Sequence, residues 1–286
     1  MSFDFKVFRV RALSAIVFAG LMVGGLFWNK WSFFALFFVI QLGCLYEYQK
    51  LVALIKVSYA SISSLHKYGL LLLGTLVMIR FGSVDISIND IGLPTIANWC
   101  LPFVLGAMLI SDIATKKFKL QNWALSMAGL IYISLSLALF FQLKKIMSST
   151  FIGDWGFSIP LILVATIWVN DTLAYLVGSL IGKKPLSSIS PNKTWEGTIA
   201  GVFIAVLFVS KIMGMYLPIQ EKYILMISVT AAIAGTFGDL LQSKLKRLAQ
   251  VKDSGKMMPG HGGFLDRFDS ILLASPFVWL ILQLLF

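Results

Sequence analysis

Nine long apolar stretches dominate this sequence and most constrain what it can fold into. They cover residues 12–28, 32–54, 68–84, 98–112, 123–141, 159–181, 198–215, 223–241 and 271–286. A helix needs roughly 20 apolar residues to cross a bilayer, and helices satisfy their own backbone hydrogen bonds there. Only 13% of the residues are charged, against about 25% in soluble domains. The sequence therefore predicts an all-α polytopic membrane protein with about nine transmembrane helices.

The basic residues predict the orientation of these helices. Most of the 24 Lys and Arg residues lie at the N-terminus or after spans two, four, six and eight. Basic residues collect on the cytoplasmic side, so the N-terminus and the segment after span eight are predicted to be cytoplasmic, in a multi-pass protein of the plasma (inner) membrane. No small-residue cleavage site follows the first stretch, which is interpreted as a retained span. Cys44 and Cys100 are predicted to be buried free thiols. Glu47, near the end of span two, is a candidate site residue, but a carboxylate at the interface is expected to be simply solvated.

The longest polar interruption, Ser243–Ser270, combines three features. Its basic residues are Lys244, Lys246, Arg247, Lys252, Lys256 and Arg267, its carboxylates are Asp253, Asp266 and Asp269, and its glycine-rich turn contains His261. Glycines let backbone N–H groups approach a phosphate, and Lys and Arg bind phosphate oxygens. This mixture predicts a metal and phosphate site. We expect one membrane domain over 1–286, with scaffold spans in 1–150 and the catalytic part in 151–286.

Three carboxylates near this segment predict a magnesium site. Asp266 and Asp269 are three residues apart and so share one face of a helix. Asp239 is predicted at the cytoplasmic end of span eight, where it opposes the helix dipole unless a cation binds it. Mg²⁺ takes a few carboxylates together with water and phosphate oxygens. Zinc is disfavoured because His261 is the only histidine nearby, so Asp239, Asp266 and Asp269 are predicted to bind Mg²⁺.

Two features upstream predict another wall of the same site. Asp171 lies well inside span six, where a carboxylate is costly and usually faces the protein interior or water. We expect it to be functional rather than a structural hydrogen-bond partner. Pro191 favours an extended conformation at Ser190, so Ser190–Gly197 is predicted to be a shaped turn before a helix. Lys193 would then stand beside the free N–H groups of a helix N-terminus, which bind anions.

The polar segments of the C-terminal half form a long and specific pattern. It runs through Ser243-x-Leu245-Lys246-Arg247, Lys252-Asp253-x-Gly255 and Pro259-x-His261-Gly262-Gly263-Phe264-x-Asp266-Arg267-Phe268-Asp269, with Asp171-Thr172-x-Ala174-Tyr175 and Ser190–Gly197 upstream. The pattern resembles the signature of the CDP-diacylglycerol synthases, also called phosphatidate cytidylyltransferases. It covers about residues 165–270. Gln242, where the family often has a glutamate, and Met258, in place of Leu or Ile, depart from it.

The resemblance implies an enzyme of phospholipid synthesis that converts CTP and phosphatidate to CDP-diacylglycerol and pyrophosphate at a cytoplasmic-facing, magnesium-dependent site. It implies catalytic roles for Asp171, Asp239, Lys252, Asp253, Asp266 and Asp269. It implies substrate binding by Lys183, Ser190, Lys193, Thr194, Ser243, Lys246, Arg247, His261, Gly262, Gly263 and Arg267. The second pKa of a phosphate monoester is about 6, so phosphatidate is largely a dianion, and already a nucleophile, at neutral pH. His261 is therefore expected to orient or bind a phosphate rather than act as a base.

Two other functions remain open from the sequence. A CTP-dependent lipid or polyprenol kinase would use similar residues but transfer the terminal phosphate. A secondary transporter would place charges near the bilayer midplane in paired interrupted helices, whereas here they gather at the ends of spans six and eight. The sequence predicts no nucleic-acid partner. A homodimer and a second, monovalent ion beside magnesium stay open.

Overall fold

The chain folds into two compact units. The computed structural model describes residues 17, 19–82, 84, 86–88, 90–150, 156–256 and 262–285, without the side chains of 147–150. The first unit comprises Met1–Ala138 and Leu248–Phe268, and the second Leu139–Arg247 and Asp269–Phe286. Each unit therefore combines residues from separate parts of the sequence.

Helices make up most of the described chain, which confirms the predicted all-α polytopic class. In order they are α1 (Lys30–Ile55), α2 (Val57–Ala60), α3 (Ser64–Phe81), α4 (Leu93–Ala114), α5 (Leu120–Gly129), a π-helical turn (Leu130–Leu135), α6 (Ser136–Thr150), α7 (Ser158–Ile181), α8 (Trp195–Tyr216), α9 (Glu221–Leu248) and α10 (Leu265–Leu285). Residues 19–27 are also helical.

In the part of the chain that the structure describes, seven helical segments are long and apolar enough to cross a membrane. They coincide with seven of the predicted spans, α5, the π-helical turn and α6 together forming one. Helix α3 coincides with predicted span three but is not among the seven. Predicted span one falls largely on residues outside the described ranges. The prediction of about nine spans is therefore not confirmed, although the multi-pass membrane class is.

Two short antiparallel hairpins stand between the helices. Their strands are β1 (Ser87–Ile88) with β2 (Ile91–Gly92), and β3 (Pro185–Ser187) with β4 (Ser190–Thr194). In the second hairpin Ser187 pairs with Ser190 and Pro185 with Thr194. The extended backbone predicted before Pro191 is confirmed, and the predicted turn is the second strand of a hairpin that leads directly into α8.

Buried hydrogen bonds link three helices of the first unit. Asp112 of α4 accepts hydrogen bonds from Ser63 Oγ (2.7 Å) and Trp123 Nε1 (2.9 Å), and lies 2.5 Å from His66 Nδ1. His66 Nε2 lies 2.8 Å from Ser126 Oγ. A polar group removed from water is costly unless it finds such a partner. This network therefore joins α3, α4 and α5 at fixed positions.

Small residues let α7 and α8 pack closely in the second unit. A Cβ added to Gly197 would lie 2.5 Å from the carbonyl oxygen of Ala174 and 2.7 Å from Gly178 Cα. A Cβ on Gly201 would lie 2.9 Å from Ala174 Cβ. Small residues four apart commonly allow such backbone approach between membrane helices. The packing holds the start of α8 beside the half of α7 that carries Asp171.

We expect Gly197→Ala to destabilise the protein by about 1–3 kcal/mol, because the added methyl group overlaps the backbone of α7. That loss outweighs the gain of about 0.5–1 kcal/mol from replacing a helical glycine. Gly214 is the matched control on the same helix, since its added Cβ would meet nothing closer than 3.9 Å. Thermal unfolding of both variants in detergent checks the prediction. Equal unfolding temperatures would contradict it.

The helices around the polar segment are longer than the sequence predicted. Helix α9 continues to Leu248 and α10 already begins at Leu265. Asp239 therefore lies inside α9, and the prediction that it ends a helix and opposes its dipole is wrong. The last turn of α9 instead carries Lys246 and Arg247, where cations are favourable. Hydropathy ended this span early because charged residues lower it, although Lys and Arg are good helix formers.

Candidate functional site

Four charged side chains converge in the second unit. Asp171 comes from α7, Lys193 from β4, Asp239 from α9 and Asp269 from α10. Lys193 Nζ forms an ion pair with Asp239 Oδ2. Asp171 and Asp269 are close enough for their charges to act on Lys193 as well. We call these four residues the acid–lysine cluster.

Glycines on α9 bring α10 close at the level of this cluster. A Cβ on Gly238 would lie 2.5 Å from the Asp269 carbonyl oxygen, and one on Gly235 would lie 3.5 Å from Ser270 Cβ. Any larger residue at 238 would push the two backbones apart. The Gly-x-x-Gly-Asp sequence of α9 thus supplies both the close approach and the carboxylate Asp239.

The members of the cluster differ in exposure. Asp269 is 5% exposed, and its Oδ1 accepts a hydrogen bond from Ser270 N (2.7 Å). The side chains of Lys193 and Asp239 are 32% and 23% exposed, and Asp171 is exposed. Burial lowers the pKa of the Lys193 ammonium, but Asp239, by its charge and hydrogen bond, and Asp171 and Asp269 raise it more, so this pKa lies above lysine's ordinary value. Lys193 is therefore a lasting positive charge among three carboxylates.

The hairpin that carries Lys193 is tied to both neighbouring helices. Thr194 Oγ1 accepts a hydrogen bond from Gly197 N (3.2 Å) and so caps α8. The Glu196 carboxylate accepts hydrogen bonds from the backbone N–H groups of Lys183 (3.1 Å) and Lys184 (3.3 Å), just after α7 ends. The predicted helix N-terminus after the turn is thus present. Its Thr194 and Glu196 side chains fix the position of β4.

A second group of contacts forms in the first unit around Asp266. Its Oδ2 accepts hydrogen bonds from Ser254 N (2.8 Å), Ser254 Oγ (2.9 Å) and Gly263 N (3.1 Å). Gly262 adopts a φ of +83°, a conformation that favours glycine. Asp266 and Asp269 both lie in α10, as predicted. Asp266 belongs to the first unit, where hydrogen bonds to its Oδ2 hold Ser254 and Gly263 of the polar segment in place.

Glu47 is the residue whose surroundings the sequence interpretation predicted wrongly. The predicted solvated carboxylate is wrong, because Glu47 is 6% exposed. Its oxygens accept hydrogen bonds from Phe264 N (3.0 Å), Leu265 N (3.0 Å) and Ser254 Oγ (2.7 Å). The only signal in the sequence was an acid inside a helix, four residues after Gly43. Nothing local indicated partners more than two hundred residues away.

The remaining predicted residues have varied surroundings. Exposed residues are Lys183, Arg247, Lys252 and Asp253; half-buried residues are Ser190, Thr194, Ser243, Lys246, Gly262 and Arg267; and Gly263 is buried. The charge of Lys246 acts on Asp269, so Lys246 lies near the acid–lysine cluster. His261 and Met258 lie outside the described residues. Neither Cys44 nor Cys100 forms a disulfide, as predicted; Cys44 is buried and Cys100 half-buried.

Gln242, one departure from the expected pattern, is fully buried in α9. An ionised glutamate at this depth would need a charged or hydrogen-bonding partner to offset the loss of water, whereas an amide carries no charge. Gln242 therefore adds no carboxylate to the acid–lysine cluster.

The donor chemistry of the cluster fits a hard cation such as Mg²⁺, which prefers carboxylate oxygens. Asp239 and Asp269 were both predicted as ligands and lie together in the second unit. Among the described residues no three His, Cys, Asp or Glu side chains form a ready-made metal site. Magnesium usually keeps several waters and takes substrate phosphate oxygens. The cluster therefore suits a cation whose coordination the substrate completes.

We expect Asp171→Asn to lower turnover severely without loss of folded protein. The side chain is exposed and its charge acts on Lys193, so the substitution removes charge from the site but no buried contact. Glu221→Gln is the control, because it neutralises an exposed acid of the same unit that pairs with Lys211. Turnover and gel-filtration profiles of both variants check the prediction. Wild-type turnover in Asp171→Asn would exclude this acid from the reaction.

Comparison with known proteins agrees with the motif resemblance. Residues 9–285 match the model of the cytidylyltransferase family. A phosphatidate cytidylyltransferase of Bacillus subtilis is 39% identical over 54% of this chain, and one of Staphylococcus aureus 31% over 72%. A third, from Staphylococcus saprophyticus, is 28% identical over 96% of this chain and 98% of its own.

The extent of these alignments differs between relatives. They cover 56% of the Bacillus subtilis protein and 63% of a Staphylococcus epidermidis relative, less than two thirds of either length. The Staphylococcus aureus protein is covered over 82% of its length. The family match spans nearly the whole chain and includes every element that carries the acid–lysine cluster. The chain belongs to the cytidylyltransferase family.

Proposed function

We propose that this protein transfers the cytidylyl group of CTP to phosphatidate in phospholipid synthesis. A phosphate oxygen of phosphatidate attacks the α-phosphorus of CTP and forms the new P–O bond. The bond from the α-phosphorus to the oxygen that bridges it to the β-phosphorus breaks. CDP-diacylglycerol forms and pyrophosphate leaves with the electron pair, so atoms and charges balance.

The observation that carries this proposal is the acid–lysine cluster, whose three carboxylates lie on helices long enough to cross a membrane. Ionisable groups in such helices are costly and mark substrate or ion sites. Family membership supports the chemistry, and the names of the relatives support phosphatidate as the lipid. A lipid phosphate and a nucleotide are both polyanions, so a site for their reaction needs cations more than a strong base. Lys193 and Lys246 supply positive charge within the second unit.

Magnesium is proposed as the cofactor, held by Asp239 and Asp269. The ion would neutralise the phosphate charge that builds up as the P–O bonds exchange. Lys193 would neutralise Asp239 before substrate arrives and then bind a phosphate oxygen with one of its three N–H donors. Asp266 remains a predicted ligand; its Oδ2 accepts hydrogen bonds from two backbone N–H groups and lies within reach of the Ser254 hydroxyl. A further monovalent ion and a homodimer remain alternatives.

The basic residues support the proposed orientation. They favour a cytoplasmic N-terminus and a cytoplasmic polar segment in the plasma (inner) membrane. Lys183, Lys252 and Arg247 are exposed and would attract CTP and anionic lipid headgroups from that side.

The test is to incubate purified protein in detergent micelles with phosphatidate and CTP labelled at the α-phosphate, with and without Mg²⁺. We expect labelled CDP-diacylglycerol together with an equal amount of unlabelled pyrophosphate, and neither product with EDTA. Diacylglycerol in place of phosphatidate is the control, because it lacks the attacking phosphate. Release of CDP with phosphorylation of a lipid alcohol would instead identify a kinase. Absence of CTP turnover with every lipid would contradict both enzymes.

A further inference from the structure

Glu47 holds the end of the polar segment onto α1 from a distant part of the sequence. Its Oε1 accepts a hydrogen bond from Phe264 N, and its Oε2 accepts from Leu265 N, both at 3.0 Å. Ser254 Oγ donates to the same Oε2 at 2.7 Å. Leu265 is the first residue of α10. A residue of one helix therefore caps the N-terminus of another.

The surrounding residues are small where the carboxylate needs space. A Cβ added to Gly255 or Gly263 would overlap the Glu47 carboxylate, and one added to Gly43 would overlap the Phe264 ring. Gly43 and Glu47 are one turn apart on α1. The Phe264 ring therefore packs against Gly43 of α1, and the Glu47 carboxylate of α1 packs against two glycines of the polar segment. Both contacts need the missing side chain of a glycine.

The same contacts reach a predicted magnesium ligand. Ser254 Oγ lies 2.7 Å from Glu47 Oε2 and 2.9 Å from Asp266 Oδ2. A hydroxyl has one hydrogen to donate, so it serves one carboxylate at a time, while the backbone N–H groups of Ser254 and Gly263 continue to hold Asp266. The Ser254 hydroxyl thus links Glu47 to Asp266, which lies in the first turn of α10.

We propose that Glu47 is a positioning residue for the reaction, which holds the first turn of α10 and the Ser254 hydroxyl so that Asp266 keeps its orientation. A carboxylate suits this task because it accepts on both oxygens and its negative charge is favourable at a helix N-terminus. Glutamine has one accepting oxygen, and its NH₂ group would face N–H donors. Aspartate keeps the charge but is shorter by one methylene group.

The experiment measures hydrogen exchange of the peptide covering 262–268 in the detergent-solubilised full chain without substrate, together with turnover. In Glu47→Gln we expect exchange of the Phe264 and Leu265 amides to rise about tenfold or more, because one amide loses its acceptor and the other keeps only an uncharged one. We expect kcat to fall about 10- to 100-fold, as expected of a displaced catalytic group. Glu47→Asp should fall between Glu47→Gln and wild type in both measurements.

Gln41→Met is the matched control on the same helix. Gln41 is fully buried and bonds to Ser134 Oγ (3.2 Å) and Thr75 Oγ1 (3.1 Å), away from the polar segment. This variant should lower the unfolding temperature while leaving exchange of 262–268 and kcat unchanged. A merely structural role for Glu47 would give the same result as Gln41→Met and would overturn the proposal.

Two other results would also overturn it. Unchanged exchange in Glu47→Gln would mean that the carboxylate does not hold this turn, whatever the turnover. Faster exchange with unchanged kcat would mean that holding the turn does not serve the reaction.

The kcat measurement rests on the proposed function, whereas the exchange measurement does not. Wild-type protein without cytidylyl transfer would therefore refute the proposed function and leave the exchange comparison to decide whether Glu47 holds α10. If Glu47→Gln does not fold, Glu47→Asp and Ser254→Ala replace it, and unchanged exchange in both would refute the anchoring.

Discussion

Asp269→Asn should lower turnover at least about 100-fold while the unfolding temperature stays equal or rises. Asp269 is 5% exposed and lies near two other carboxylates, Asp171 and Asp239. Burying a charge beside like charges is unfavourable for folding, so the neutral amide relieves a cost. The same change removes a proposed Mg²⁺ ligand. Turnover with CTP and phosphatidate, and thermal unfolding in detergent, would measure the two effects separately.

Asp112→Asn is the matched comparison, because Asp112 is also buried, at 1% exposure, but has side-chain hydrogen-bond donors around it where Asp269 has like charges. Its carboxylate bonds to Ser63, His66 and Trp123. Losing such partners should destabilise the protein by about 1–3 kcal/mol, with little effect on the turnover of the protein that folds. If Asp269→Asn also lowered the unfolding temperature, Asp269 would be structural. Normal turnover in Asp269→Asn would remove it from the metal site.

Lys193→Ala should lower kcat/KM for CTP about 100-fold with only a small change in stability. The ammonium pairs with Asp239 and is affected by the charges of Asp171 and Asp269. Without it, the carboxylates repel an approaching triphosphate. The ion pair is partly exposed, so its contribution to folding is modest. Initial rates over a range of CTP concentrations, with thermal unfolding alongside, check both expectations.

Lys211→Ala is the control, since Lys211 Nζ also forms an ion pair, 2.6 Å from Glu221, with side chains 68% and 55% exposed. We expect its turnover to stay near wild type. Equal loss of kcat/KM in Lys193→Ala and Lys211→Ala would mean that Lys193 contributes general surface charge and no specific contact.

The raised pKa of Lys193 predicts the direction of its effect on the pH profile. Lys193 stays protonated as the pH rises, so its charge should be lost only above lysine's ordinary pKa.

Hydropathy predicted the helical membrane class correctly because the bilayer imposes length and apolarity on each span separately. It was less accurate where charged residues continue a helix. The basic residues of α9 extend it to Leu248, so Asp239 lies inside the helix. The ends of predicted spans three and four were the least certain because their apolar runs are short and flanked by polar residues. Helix ends depend on caps and packing as much as on hydropathy.

The residue types of the candidate site were evident from the sequence, but their grouping was not. Asp171, Lys193 and Asp239 were each predicted for a reason visible in their own segment. Their ion pair and shared charges arise because glycines let α7 approach α8 and α9 approach α10. A sequence pattern carries no distance between residues so far apart along the chain.

By itself the sequence determined the class of the protein, the chemistry of its polar segments and the family to which these belong. Those features depend on residue type and local spacing, which a single chain displays. Only the tertiary structure decided that Asp266 folds the polar segment while Asp269 lies with Asp239 and Lys193 in the other unit, although three residues separate the two aspartates. It also decided that Glu47, an unremarkable acid of the second span, caps α10. Both outcomes depend on which helices pack together, and that is set by contacts between residues distant in the chain.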